Sequence, residues 1–185
     1  MSLSDLPNLI SILRITLVGP VVWALATQQF MLALLLFAVA GVSDGLDGFL
    51  AKHFHWESRL GSILDPIADK LLLLASFATL TWLGLLPLWL LWLVVARDLI
   101  IISGGLAYHY YLGEFDLSPL WSSKINTTLQ IALVLLVMIQ QQWFQGLDKL
   151  VTIGIWLVVA SVINSGTEYV VVWGTRAWKQ IKGKS

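Results

Sequence analysis

The sequence predicts an all-α integral membrane protein: a bundle of six transmembrane helices with both termini on the cytoplasmic side. Three observations carry that expectation. The first is composition. Of 185 residues, 58% are hydrophobic and 12% charged, and the mean hydropathy is +0.82, whereas a soluble domain averages about 45–50% apolar and about 25% charged. The second is segmentation, because six stretches reach or approach the ~20 mostly apolar residues that span a bilayer. The third is the placement of lysine and arginine on alternate sides of those stretches. Ten tryptophans also suit a chain that crosses the membrane–water interface.

The elements follow in order. The first span is expected over residues 8–27, with 1–7 as a candidate interfacial segment. It does not read as a cleavable signal, since no basic cluster precedes the apolar run and Arg14 interrupts it. Gln28-Gln29 separates it from a second span over 30–51. The polar stretch His53–Arg59 leads to a third over 61–83, and Pro87 marks the turn into a fourth over 86–111. Gly113–Pro119 precedes a fifth over 122–141, and Gln140 to Asp148 a sixth over 149–173. No internal repeat or low-complexity segment is present, so 1–185 is expected to be one membrane domain.

With six spans the two ends share a side. That side carries Lys52, Arg59, Lys124 and the tail residues Arg176, Lys179, Lys182 and Lys184, against Lys149 on the other. Cytoplasmic loops attract Lys and Arg, which assigns both termini and the 52–60 loop to the cytoplasm. The absence of cysteine rules out disulfides and thiolate metal sites. A formal net charge of zero argues against nucleic acid as a partner.

Charges inside spans are costly and therefore point to function. Asp44 and Asp47 lie one turn apart near the cytoplasmic end of the second span. Asp65 and Asp69 lie one turn apart at the start of the third. The short connection between these spans makes them antiparallel neighbours, so four carboxylates meet at one depth. Four adjacent anions raise one another's pKa unless a counter-charge is present. A hard divalent cation with oxygen ligands, Mg²⁺ or Mn²⁺, resolves the conflict and suits a phosphate substrate. Gly45, Gly48, Gly61 and Ala51 keep the surrounding helix faces thin, allowing close approach of a ligand. Lys52 and Arg59 offer phosphate partners at the mouth.

The run Asp44-Gly45-Leu46-Asp47-Gly48-Phe49-Leu50-Ala51-Lys52, followed by Gly61, Asp65 and Asp69, resembles the signature of the CDP-alcohol phosphatidyltransferases. That signature is D-x-x-D-G-x-x-A-R, eight residues, then G-x-x-x-D-x-x-x-D. Every spacing matches. One identity departs, Lys52 for arginine, which keeps the charge and loses the bidentate fork. Leu6-Pro7-Asn8-Leu9-Ile10-Ser11 with Arg14, and Leu64 to Lys70, are similar to phosphatidylglycerophosphate and cardiolipin synthases. Arg97-Asp98 and Ser123-Lys124-Ile125-Asn126-Thr127 are more similar to the CMP-forming cardiolipin synthases. Glycerol-phosphate-using relatives tend to carry Arg-Glu and Lys-x-Lys-Thr there, with a further arginine where Gly104, Gly105 and Leu106 stand here.

The resemblance implies a metal-dependent transfer of a phosphatidyl group from CDP-diacylglycerol to an alcohol, with release of CMP. Asp44, Asp47, Asp65 and Asp69 would hold the metal, two ions of Mg²⁺ or Mn²⁺. Asp69 would also act as the base, and Gly48, Ala51, Lys52 and Gly61 would line the CDP pocket. Arg14, Arg97 and Lys124 are candidates for the phosphate of the acceptor or lipid. The acceptor expected is phosphatidylglycerol, giving cardiolipin, with glycerol-3-phosphate as the alternative. A homodimer in a bacterial inner membrane, its site facing the cytoplasm, is the setting implied.

Other readings stay open. The four aspartates could instead form helix-interface hydrogen bonds or salt bridges, although the basic residues nearby are too few to pair them all. Arg14 could snorkel to the interface, Arg97 and Asp98 could form an ion pair inside the span, and Lys70 could only balance charge. His53 and His55 read as solvated. Asn164, Ser165 and Glu168 read as interhelical glue, and the basic tail as a topology and anionic-lipid signal. Two other function classes compete. An aspartate-rich prenyltransferase needs two aspartate clusters far apart in the chain, and this chain has one. A carboxylate-lined cation channel or carrier does not need the small-residue wall, and no inverted repeat is apparent.

Overall fold

A computed structural model describes residues 6–54, 61–112, 121–144 and 146–182, with side chains described for 10–44, 67–105, 121–144, 146–171 and 175. Six helices make up these residues: α1 (Leu6–Ala26), α2 (Phe30–Phe54), α3 (Gly61–Trp82), α4 (Leu88–Leu112), α5 (Trp121–Trp143) and α6 (Asp148–Lys182). Three contain stretches long and apolar enough to cross a bilayer: Leu88–Gly105, Trp121–Trp143 and Asp148–Val171. The surface is rich in exposed large hydrophobics, Trp82, Trp92, Trp121 and Trp156 among them, as suits a chain surrounded by lipid.

The turns explain where helices stop. At the end of α1, Gln28 N–H donates to Leu25 O and Gln29 N–H to Ala24 O, the paired bonds of a Schellman cap. The residue that must turn left-handed is Gln28, at φ 57°. Gly84, at φ 75°, plays the same part after α3, with Gly84 N–H bonded to Thr81 O and Leu85 N–H to Leu80 O. Pro87 then precedes α4, where its missing N–H is no loss. α6 runs on to Lys182, well past the residue-173 limit that hydropathy sets. The tail residues Arg176, Lys179 and Lys182 are therefore helical.

The helices group into two compact units. The first holds residues 1–86 with 134–147, and the second 87–133 with 148–185. In the first unit α1 packs on both α2 and α3. The buried side of α1 is Ser11, Arg14, Val18, Val21 and Leu25, alternating spacings of three and four that trace one helix face. On α2 the matching stripe is Phe30, Ala33, Phe37 and Ala40, and its next step is Asp44. The alanines, both fully buried, allow close helix approach. Gln142 of α5 caps the start of α2, its Oε1 accepting from Met31 N–H at 3.1 Å.

In the second unit α4 packs on α6. Trp89 and Trp156 meet with ring centroids 6.2 Å apart. An apolar groove of about 370 Å³ is lined by residues of both helices, including Leu93, Ile100, Val162 and Val170.

Candidate active site

The first unit brings three of the charged residues singled out by sequence to one point. Arg14 of α1, Asp44 near the C-terminal end of α2 and Asp69 near the start of α3 each continue the packing stripe of their helix. Arg14 Nη1 lies 2.7 Å from Asp44 Oδ1 and 2.7 Å from Asp69 Oδ1. The arginine side chain is 0% exposed, and each carboxylate is 43% exposed. Two anions from different helices thus focus on one cation, from a position still open to solvent. Taking a guanidinium wholly out of water is costly unless it is paired, and both aspartates supply that pairing.

The sequence alone offers Arg14 as a snorkelling or lipid-phosphate residue and does not join it to the aspartates. The signal was present. Ser11, Arg14, Val18 and Val21 share one face, so an inward arginine follows once that face is known to pack against α2 and α3.

Asp47, Gly48, Ala51 and Lys52 lie on α2, and Gly61 and Asp65 on α3; their side chains lie outside the described residues. His55 lies outside them altogether. Among the described residues no third carboxylate or histidine joins Asp44 and Asp69. The pair itself fits a hard cation: both donors are carboxylate oxygens, they come from two helices that pack on α1, and they already converge on a positive charge.

Arg97 and Lys124 belong to the second unit, where Arg97 of α4 is 5% exposed. Its Nη1 donates to Asp98 Oδ1 at 2.7 Å, and its Nη2 donates to Ser123 Oγ of α5 at 2.9 Å and to Ser165 Oγ of α6. The Tyr169 ring lies 5.9 Å from the guanidinium carbon. A Cβ on Gly166 would sit 3.9 Å from Arg97 Cγ. The ion pair within the fourth helix is thus present, and Ser165 serves as interhelical glue, whereas Ser123 and Tyr169 had carried no such expectation.

One turn along α5 and α6, Ser161 Oγ donates to Asn126 Oδ1 at 2.8 Å. Asn126 is 1% exposed, so the carbonyl oxygen of the side chain standing where glycerol-phosphate users tend to carry lysine links α5 to α6, while its buried Nδ2 has no hydrogen-bond partner among the described residues. Lys124 is exposed, with Nζ 5.1 Å from the Trp121 ring.

Comparison with known proteins gives this arrangement a context. A family model described as CDP-alcohol phosphatidyltransferase matches residues 4–166. The chain belongs to the CDP-alcohol phosphatidyltransferase family. Among curated members of that family it is 30% identical to the rat cardiolipin synthase (CMP-forming), over 97% of this chain and 64% of the rat protein. It is 33% identical to the chloroplastic CDP-diacylglycerol–glycerol-3-phosphate 3-phosphatidyltransferase 1 of rice, over 89% of this chain and 56% of that one. It is also 33% identical to the Escherichia coli CDP-diacylglycerol–glycerol-3-phosphate 3-phosphatidyltransferase, over 69% and 72%. The chain therefore spans between about half and two thirds of several curated relatives' length. Relatives named as cardiolipin synthases and relatives named as CDP-diacylglycerol–glycerol-3-phosphate 3-phosphatidyltransferases match it at similar identity.

Proposed function

We propose that this protein transfers a phosphatidyl group from CDP-diacylglycerol to phosphatidylglycerol, forming cardiolipin and CMP. Asp44, Asp47, Asp65 and Asp69 are the proposed ligands of Mg²⁺ or Mn²⁺. The observation that carries this reading is the convergence of Asp44 and Asp69, from separate helices of a family member, on one cationic point. A divalent ion bound there supplies charge neutralisation for the diphosphate and for the charge that develops in the transition state. Lys52, with the thin wall of Gly48, Ala51 and Gly61, holds the cytidine diphosphate.

Asp69 accepts the proton of the acceptor hydroxyl, whose oxygen bonds to the β-phosphorus. The bond from that phosphorus to the bridging oxygen breaks, and CMP leaves with that oxygen. No covalent enzyme intermediate is required, because positioning and electrostatics supply most of phosphoryl-transfer catalysis.

The acceptor reading rests on cations. Glycerol-3-phosphate presents a dianionic phosphomonoester, which needs several converging positive donors. Asn126 is neutral and held by Ser161, Gly104 to Leu106 carry no charge, and Arg97 has three side-chain oxygens around its guanidinium. Phosphatidylglycerol presents a neutral hydroxyl and a singly charged phosphodiester, a lighter demand for positive charge. Residues 1–185 act as one membrane domain with six spans, both termini cytoplasmic, and as a homodimer in a bacterial inner membrane.

The deciding experiment supplies purified protein with CDP-diacylglycerol, Mg²⁺ or Mn²⁺ and each acceptor in turn, and measures CMP release and lipid product. Cardiolipin from phosphatidylglycerol is the expected outcome. Product from glycerol-3-phosphate alone reverses the acceptor and keeps the reaction class. No CMP with either acceptor removes the reaction.

A further inference from the structure

Arg14 is the largest of the fully buried side chains. One of its guanidinium nitrogens sits 2.7 Å from an oxygen of Asp44 and 2.7 Å from an oxygen of Asp69. A buried arginine facing a single carboxylate is a common structural pair. Here one nitrogen is shared between two carboxylates of two helices, both part-exposed, both proposed metal ligands. A divalent ion bound by those same oxygens would stand within a few ångströms of the guanidinium, and like charges so close repel strongly where water is scarce. The guanidinium and the metal therefore compete for one place.

We infer that Arg14 is the resident counter-cation of the aspartate site: it neutralises Asp44 and Asp69 when no metal is bound, and a divalent ion must displace it from them. The inference rests on the metal reading given above. Two physical consequences follow. In the metal-free protein the arginine holds both carboxylates aimed at a common point, so the site is formed before the ion arrives. In exchange it lowers the affinity for the ion, which keeps the metal exchangeable. Once displaced, the guanidinium can take an anionic phosphate as its next partner.

The test uses the full chain in mild detergent as wild type, Arg14→Gln and Arg14→Lys. Mn²⁺ affinity is read from the free-ion electron paramagnetic resonance signal, and Tm is measured in EDTA and in saturating Mg²⁺. Expected for Arg14→Gln are Mn²⁺ binding about tenfold tighter than wild type, a lower Tm in EDTA, and a larger rise in Tm on adding Mg²⁺. Arg14→Lys, which keeps the charge, should return both readouts close to wild type. Mn²⁺ affinity unchanged or weakened in Arg14→Gln, with Tm lowered equally with and without metal, makes Arg14 a strut and overturns the inference. Arg14→Met, which keeps the apolar stem, is read by the same criteria where the glutamine variant does not fold. A wild-type protein that neither binds Mn²⁺ nor responds to Mg²⁺ removes the metal reading itself, and the inference with it.

Discussion

Asp69 carries two demands, one as a partner of buried Arg14 and one as the proposed base. An amide at this position keeps the shape of the side chain and loses both its charge and its ability to take a proton. Asp69→Asn is therefore expected to lower CMP release by roughly 10²–10⁴-fold, the usual worth of a positioned base, while metal-dependent binding of CDP-diacylglycerol, still supported by the other three proposed ligands, falls far less. Asp44→Asn should weaken binding and turnover together, because Asp44 acts through the ion. A near-normal rate for Asp69→Asn, measured as CMP formation at saturating substrate, would place the base on another residue. The spacing of the aspartates was legible in the sequence because one-turn separations put side chains on one helix face. Arg14's partners were not, because a lone arginine near a span's end fits an interfacial role equally well. Only the packing of α1 on α2 and α3 distinguishes the two.

At the scale of the elements, the two Schellman turns make opposite predictions. Gly84 sits at φ 75° with nothing within 4 Å of where a Cβ would stand, so Gly84→Ala meets no clash and suffers only the backbone penalty of the left-handed region. A loss of about 1 kcal/mol is expected, read as a lower Tm in detergent. Gln28 already bears that penalty at φ 57°. Gln28→Gly relieves it, offset in part by glycine's greater freedom when unfolded, for a gain of about 0.5 kcal/mol. A loss at Gln28→Gly would mean that the glutamine side chain stabilises the turn. Gln28-Gln29 and Pro87 were readable as breaks from their chemistry. The length of α6 was not, because hydropathy ends where the apolar residues end, whereas Arg, Ala, Lys and Gln propagate a helix without being apolar.

For the whole molecule, the six-span arrangement has a direct check, since the chain lacks cysteine and any introduced thiol is unique. Gln29→Cys and Phe144→Cys, at two exposed turns, should react with a membrane-impermeant maleimide in right-side-out vesicles, and Ser185→Cys should not. Labelling of Ser185→Cys, or of only one of the two turns, would remove the proposed topology. The sequence by itself determined that this is a helical chain rich in apolar spans, that four of its aspartates gather in two consecutive helices, and that it belongs with the CDP-alcohol phosphatidyltransferases. Composition, helical period and motif spacing are local quantities, and all three are written in the order of residues. The tertiary structure alone decided which cation answers Asp44 and Asp69, that Arg97 donates to Ser123 and Ser165, and that Asn126 accepts from Ser161. Those pairings join residues 26 to 68 positions apart. They follow from which faces of the helices pack together, a choice that no local pattern encodes.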